Sequence, residues 1–277
     1  AADGRPAYWA LVPPVSREPC TVVLAMHGLG QRGETIGEPL AGAASSRNWL
    51  VVAPTIDYGD WTDPARLAAT EPRLRGIVAH VSLEKGEAAE TDLARLAALP
   101  LVKGVRRLLQ EEKDDAYCLR PDFVRGVQLL PRFGFSFDVC IQHRQLAAVI
   151  ALARQCPEVR FVLDHLGKPG IRAGLLDPWR AELRMLAALP NVWCKLSGLA
   201  TEADHAKWTP AHLRPYLEHA LACLGPDRLM FGGDWPVSTL ATDYPRWVAT
   251  VDEALAGLTA AERRRIFAGT AEAFYRL

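Results

Sequence analysis

The stretch RFVLDHLGKP, residues 160–169, decides the fold that this sequence predicts. An apolar run leads into Asp164 and His165 and then into a Gly/Pro turn, which predicts a short buried strand over Arg160–His165. A pattern rich in Ala, Leu, Arg and Glu follows and predicts a helix over Pro178–Ala188. A strand followed by a helix is the repeating unit of a parallel sheet, because its crossovers are usually helical.

The same unit recurs along the chain, and its continuous apolar runs indicate strands buried on both faces. The other predicted strands are Thr21–Met26, Leu50–Ala53, Gly76–Val81, Val102–Arg106, Phe135–Ile141, Asn191–Leu196 and Arg228–Phe231. The other predicted helices are Glu87–Ala98, Pro121–Arg132, Arg144–Gln155, Pro210–Cys223, Tyr244–Leu255 and Ala260–Tyr275. About eight units in succession, without a return hairpin, favour a distorted (β/α)8 TIM barrel over an open doubly wound sheet.

The N-terminal portion fits this pattern least well. Its helix candidates, Glu34–Asn48 and Asp63–Thr70, are broken by glycine or short. The length of 277 residues suits one barrel, which needs about 250, and no repeat or flexible linker is visible. We therefore predict a single α/β barrel domain over residues 1–277, with an atypical segment at 1–72.

Composition excludes several classes of protein. The 32 basic residues balance 32 acidic ones, so nothing indicates a nucleic-acid partner. Apolar stretches such as Thr21–Met26 are far shorter than a membrane span, and Ala1–Pro6 does not resemble a signal peptide. Six cysteines without a CxxC pair are expected to be reduced and mostly buried. We expect a cytoplasmic enzyme for a small molecule; the sequence leaves open whether it forms an oligomer.

Candidate catalytic residues follow from the barrel, because its active site lies at the carboxyl ends of the strands. Asp234 in FGGDWP, residues 231–236, ends a strand beside two glycines and is a candidate general base or metal ligand. A helix-capping role is the alternative. His165 also ends a strand and is a candidate for orienting water, polarising a carbonyl or binding metal. A buried structural histidine is the alternative there.

Candidate substrate-binding residues lie at the same strand ends. Arg106 and Arg107 offer planar guanidinium groups for a carboxylate or a lactone carbonyl, although a salt bridge at the rim of the barrel is nearly as good an interpretation. Lys195 and Ser197 alternate along their strand, so both can point the same way. The remaining candidates are His143 and Trp235, whereas His205, His212 and His219 are expected to be ordinary residues in or beside one helix.

These motifs, in order, carry a resemblance to a known family. Residues 73–277 resemble the amidohydrolase superfamily branch of L-fuconolactonase-like and 2-pyrone-4,6-dicarboxylate lactonase-like enzymes. The resemblance runs through LVKGVRR (101–107), FVLDHLGKP (161–169), residues 191–199, FGGDWPV (231–237) and the closing AFYRL (273–277). It implies a hydrolase that opens a lactone or related carboxylic ester of a small sugar acid or aromatic-degradation product.

The resemblance also implies roles for individual residues. It implies that Asp234 activates water, that His165 helps to form the site and that Arg106 holds the substrate. Relatives work with one divalent metal or with none. Relatives open with a His-x-His pair, whereas this chain has only His27, within AMHGLG at 25–30. Any metal would therefore fall to His27, His165 and Asp234, so we expect either no cofactor or one weakly bound zinc ion.

Residues 1–65 instead resemble the opening of an α/β-hydrolase, which leaves two alternatives beside the lactonase. One is a serine esterase, but its closest nucleophile motif, Gly134–Asp138, lacks the second glycine of a nucleophile elbow. The other is a catalytically impaired barrel that only binds a small acid, an idea motivated by the missing His-x-His pair.

Overall fold

A computed structural model describes residues 75–277 in full, together with the strands Tyr8–Leu11, Thr21–Leu24 and Trp49–Pro54. Contacts between Cα atoms group the chain into two units. The first unit comprises residues 1–75 and 233–249, and the second comprises residues 76–232 and 250–277.

The first unit contains a three-stranded sheet of β1 (Tyr8–Leu11), β2 (Thr21–Leu24) and β3 (Trp49–Pro54), in the order β1-β3-β2. The strands predicted over Thr21–Met26 and Leu50–Ala53 are confirmed, and β2 pairs with β3 in parallel. The strand β1 was not predicted from the sequence, and it pairs with β3 antiparallel. This four-residue strand lies between prolines and is too short for a recognisable pattern. The predicted helices Glu34–Asn48 and Asp63–Thr70 lie outside the described residues.

The second unit contains a six-stranded sheet in the order β4-β5-β6-β7-β8-β9, and every neighbouring pair is parallel. Its strands are β4 (Ile77–His80), β5 (Val102–Leu108), β6 (Ser136–Cys140), β7 (Phe161–Leu163), β8 (Val192–Leu196) and β9 (Leu229–Phe231). Spatial order follows chain order, as successive right-handed crossovers require. All six were predicted from the sequence.

Helices follow these strands in the chain at the predicted places. They are α1 (Glu90–Ala97), α2 (Pro121–Leu129), α3 (Leu146–Gln155), α4 (Trp179–Ala187), α5 (Pro210–Leu224), α6 (Tyr244–Ala254), α7 (Ala260–Arg264) and α8 (Thr270–Tyr275). The single helix predicted over Ala260–Tyr275 is interrupted by a π-helical turn at Arg265–Gly269. Pro210 begins α5 as predicted, after Thr209 at the N-cap, and a proline in the first turn sacrifices no helical hydrogen bond.

The strands of the second unit present different side chains to their two faces. On the face that we call outer, Val105, Phe137 and Val139 are fully buried, and the Phe137 ring lies 6.1 Å from that of Phe123 on α2. On the opposite face, which we call inner, the same strands carry Arg106, Asp138 and Lys195, among others. The inner face is where the predicted site residues gather.

The cysteines in the described part of the chain are as expected from the sequence. The five cysteines there are free, and all but Cys223 are buried, as predicted. Within those same residues, no helix combines the length and the apolar character that crossing a bilayer demands.

Candidate active site

Asp164 is the centre of a charged cluster on the inner face. Its Oδ2 lies 2.9 Å from Arg106 Nε on β5, and its Oδ1 lies 2.9 Å from Lys195 Nζ on β8. Only 1% of the Asp164 side chain is exposed. Burial alone would raise the pKa of this carboxyl, but the charges of Arg106 and Lys195 outweigh burial and hold the pKa well below its usual value. Asp164 is therefore a carboxylate clamped between two cations.

Lys195 also binds a second buried carboxylate. Its Nζ lies 2.6 Å from Asp138 Oδ2 on β6, and Asp138 has no exposed surface. Burial alone would lower the pKa of Lys195, but Asp138 and Asp164 raise it well above its usual value. Burial raises the pKa of Asp138, against the opposing effect of Lys195. The ammonium is thus firmly protonated, and two partly exposed cations balance two buried carboxyl groups.

His165 lies next to this cluster with both ring nitrogens engaged. Its Nδ1 is 2.8 Å from Ser197 Oγ, and its Nε2 is 3.5 Å from Arg106 Nη2. Because a guanidinium can only donate, Nε2 accepts, and Nδ1 donates to the hydroxyl of Ser197. Burial, the largest effect, lowers the pKa of His165 to about 3. The imidazole is therefore neutral at neutral pH and helps to orient the Arg106 guanidinium.

A left-handed turn places His165 on the inner face. His165, Leu166 and Lys168 have φ values of 54°, 52° and 51°, and such a conformation costs a non-glycine residue about 1–2 kcal/mol. The turn is held by Trp179 Nε1, which donates to Leu166 O at 2.7 Å, and by His143 Nδ1, 3.0 Å from Lys168 O. The strand predicted to reach His165 consequently ends at Leu163.

The structure brings Arg106, His165, Lys195 and Ser197 together, as their positions at strand ends predicted. The adjacent Arg107 instead points to Glu84 and Glu112, with the shortest ion pair 2.9 Å long. Its predicted contact with substrate stays a prediction, as does that of His143.

Other predicted site residues lie elsewhere. Asp234 and Trp235 belong to the first unit, so the predicted pairing of Asp234 with His165 stays a prediction. His27 lies outside the described residues. Three histidines have the ordinary roles expected of them: His212 accepts a bond from Thr209 N, and His205 and His219 bond backbone carbonyls. Ser136, the serine-esterase candidate, is fully buried at the first residue of β6, which does not suit a nucleophile elbow.

Sequence reasoning missed Asp138 as a member of the site, and it placed Asp164 at a strand end beside His165 without giving it a role. Each is a carboxylate in or at the end of an otherwise apolar run, and a buried charge of that kind requires a partner. That signal is present in the sequence, since Lys195 interrupts another apolar strand. A close approach also went unnoticed: a Cβ on Gly104 would lie 2.4 Å from Ser136 Oγ, so β5 has space for no side chain there.

Cys140, Asp164 and His165 are the candidate metal ligands in the described residues, with donor atoms within 4.8 Å of one another. They do not fit a divalent cation as they stand. Both Asp164 oxygens already face cations, both His165 nitrogens are engaged, and burial raises the pKa of the Cys140 thiol. A metal ligand set needs free lone pairs and a deprotonated sulfur, so a metal here would have to displace Arg106.

Comparison with known proteins gives the family. Residues 32–277 match the family described as Amidohydrolase. The chain is 35% identical over 246 residues to an L-fucono-1,5-lactonase from Burkholderia ambifaria, covering 87% of this chain and 83% of that protein. It is 40% identical over 222 residues to an L-fucono-1,5-lactonase from Burkholderia multivorans, covering 76% of this chain and 74% of that protein.

A solved structure agrees with this assignment. The crystal structure of an amidohydrolase from Burkholderia multivorans with bound zinc matches at a TM-score of 0.80 and 32% identity, over 93% of this chain and 99% of that one. With the parallel β4–β9 sheet, this confirms the predicted (β/α)8 barrel class. The family match begins at residue 32, earlier than the boundary predicted at residue 73. The chain belongs to the amidohydrolase family.

Proposed function

We propose that this protein hydrolyses the lactone of a small sugar acid and releases the open-chain hydroxy acid. L-fucono-1,5-lactone is the first candidate, because the two relatives described above carry that activity in their names. The observation that carries the proposal is the arrangement of Arg106. Its Nε is buried against Asp164, while 37% of its side chain is exposed and able to meet a ligand.

Arg106 is the group that would polarise the lactone carbonyl. Attack on the carbonyl carbon turns the carbonyl oxygen into an oxyanion, and a cation already held in place stabilises that charge without reorganising. Asp164 and His165 supply this rigidity from two directions. The neutral His165 presents a lone pair rather than a proton to Arg106, so we assign it to holding the guanidinium.

Asp234 is the proposed general base. It follows the last residue of β9 by three positions, and three residues span at most roughly 11 Å, which limits how far it can lie from that strand end. Its φ of 50° is unusual for a non-glycine residue, and such strain is common at functional sites. A carboxylate is a suitable acceptor for the proton of an attacking water.

The reaction then balances with these groups alone. Asp234 takes a proton from water, the water oxygen bonds to the carbonyl carbon, and the oxyanion forms beside Arg106. The bond to the ring oxygen breaks as the carbonyl reforms, and the proton on Asp234 passes to the departing ring oxygen. Since the cluster around Asp164 is already balanced in charge, we expect turnover to survive treatment with a chelator.

The test compares Asp234→Asn with Asp227→Asn. Asp227 precedes β9 at its other end and forms an exposed ion pair with Arg265, so it provides a matched change of carboxylate to amide. Removing a general base is expected to lower kcat by about 10²–10⁴-fold. Turnover would be measured on five- and six-membered sugar lactones and on 2-pyrone-4,6-dicarboxylate, before and after chelation. Equal turnover by the two variants would exclude Asp234 as the base, and no turnover of any lactone by the wild type would exclude the function.

A further inference from the structure

The end of the chain enters the inner face of the second unit. Phe274 and Tyr275 on α8 are 3% and 8% exposed, and they form one buried cluster with Val162 and Met230. The Phe274 ring also lies 4.9 Å from Trp193 on β8. Helix α8 therefore places two aromatic side chains next to the charged cluster.

One polar atom leaves this apolar packing and reaches the cluster. The hydroxyl of Tyr275 donates to Asp138 Oδ2 at 2.5 Å, and the same oxygen lies 2.6 Å from Lys195 Nζ. Nothing in the proposed reaction uses this tyrosine. In the series of contacts that connects it to Arg106, Tyr275 is the residue most distant from that arginine. The contacts run from Tyr275 through Asp138, Lys195 and Asp164 to Arg106.

The residues on both sides of Tyr275 are anchored, one through its main-chain oxygen and the other through its side chain. Arg160 Nη1 donates to Phe274 O at 2.8 Å, and Arg276 Nη2 donates to Gly134 O at 2.6 Å. The Arg160 guanidinium also lies 4.7 Å from the centre of the Phe274 ring. Such anchoring of the two neighbouring residues limits the movement of Tyr275, as a positioning role requires.

We propose that Tyr275 is a positioning residue for the site, acting through Asp138 to keep Lys195 between Asp138 and Asp164. This proposal rests on the proposed function, because the position of Arg106 matters only if Arg106 binds the lactone carbonyl. Lys195 has two carboxylates to choose between, and a donor on Asp138 fixes the position of that carboxylate. A fixed ammonium leaves Asp164 aligned with Arg106. A buried network of this kind works as a unit, so a loss at one end is felt at the other.

The experiment removes only the hydroxyl. Tyr275→Phe keeps the ring and its packing, and Tyr216→Phe is the matched control, since the Tyr216 hydroxyl donates to Leu175 O at 3.0 Å. Tyr275→Phe is expected to lower kcat by about tenfold with little change in KM, because a hydrogen bond to a charged group is lost and ground-state contacts remain. Tyr216→Phe is expected to change kcat by less than about twofold.

A double-mutant cycle tests the route through Asp138. In an Asp138→Asn background, Tyr275→Phe is expected to reduce kcat by less than about twofold further, since the two residues then share one lost interaction. Full multiplication of the two single effects would overturn the proposal. So would a Tyr275→Phe enzyme that differs from the wild type no more than Tyr216→Phe does.

A second readout does not depend on activity. The Arg106 Nε–H signal in ¹⁵N NMR, identified by its disappearance in Arg106→Lys, is expected to be protected from exchange in the wild type and in Tyr216→Phe. Loss of that protection in Tyr275→Phe would support the proposal, and retained protection would refute it. If the wild type turns over no lactone, the proposed function fails, while this measurement still decides the role of Tyr275.

Discussion

The two faces of the β4–β9 sheet differ in character although the same strands make both. On the outer face, Val105, Phe137 and Val139 are buried and apolar. On the inner face lie Arg106 and Asp138, which are adjacent in sequence to these apolar residues. They form one charged cluster with two further charged groups. Apolar burial stabilises the fold without any partner geometry, whereas buried charges are retained at a cost and must be paired. The comparison suggests that stability is concentrated on the outer face and chemistry on the inner one.

The largest expected effect is on the inner face, from Lys195→Met. It removes the cation that Asp138 and Asp164 share and leaves both buried carboxyl groups with a partner missing. Breaking such a pair typically costs about 3–5 kcal/mol in the free energy of unfolding. Urea unfolding would measure it against Val139→Ala on the outer face, where lost burial is expected to cost about 2 kcal/mol and kcat is expected to remain. A smaller loss from Lys195→Met than from Val139→Ala would break the comparison.

The next effect separates two neighbouring arginines on β5. Arg106→Lys keeps a positive charge but loses the planar fork that meets Asp164 and His165, so we expect kcat to fall by about 10²-fold or more. Arg107→Lys makes the same change where Glu84 and Glu112 hold the side chain, and a loss at least tenfold smaller is expected. Steady-state kinetics on one lactone measures both. Equal losses would place Arg107 in the substrate site, as the sequence alone predicts.

The smallest effect, counted per pH unit, is a dependence of the free energy of unfolding on pH. Burial lowers the pKa of His165 from 6.5 to about 3, so between these values the unfolded chain holds a proton that the folded chain does not. Stability is then expected to fall as pH drops below 6.5, by up to about 1.4 kcal/mol per pH unit from this group, and to level off above it. Urea unfolding between pH 4.5 and pH 8, values chosen around that window, would show a flatter profile for His165→Gln. Exposed His205→Gln should keep the wild-type profile; identical slopes in all three proteins would refute the assignment.

The strands and helices of the second unit were predictable from the sequence because buried parallel strands appear as short apolar runs and two of the helices begin with a proline. Thr209 and Pro210 at the start of α5 are an example. The left-handed turn at His165 was not predictable, because its φ values depend on bonds from Trp179 and His143, which lie elsewhere in the chain. Periodicity carries no information about such distant partners.

The candidate site divides in the same way. The sequence by itself determined the family motifs, the parallel (β/α) pattern, and the placing of Arg106, His165, Lys195 and Ser197 at strand ends. Only the tertiary structure decided that Arg106 and Arg107 point in opposite directions, that Asp138 and Asp164 share Lys195, and that the hydroxyl of Tyr275 reaches Asp138. The physical reason is that strand position follows from local burial, whereas the partner of a buried charge is chosen among residues up to 137 positions away.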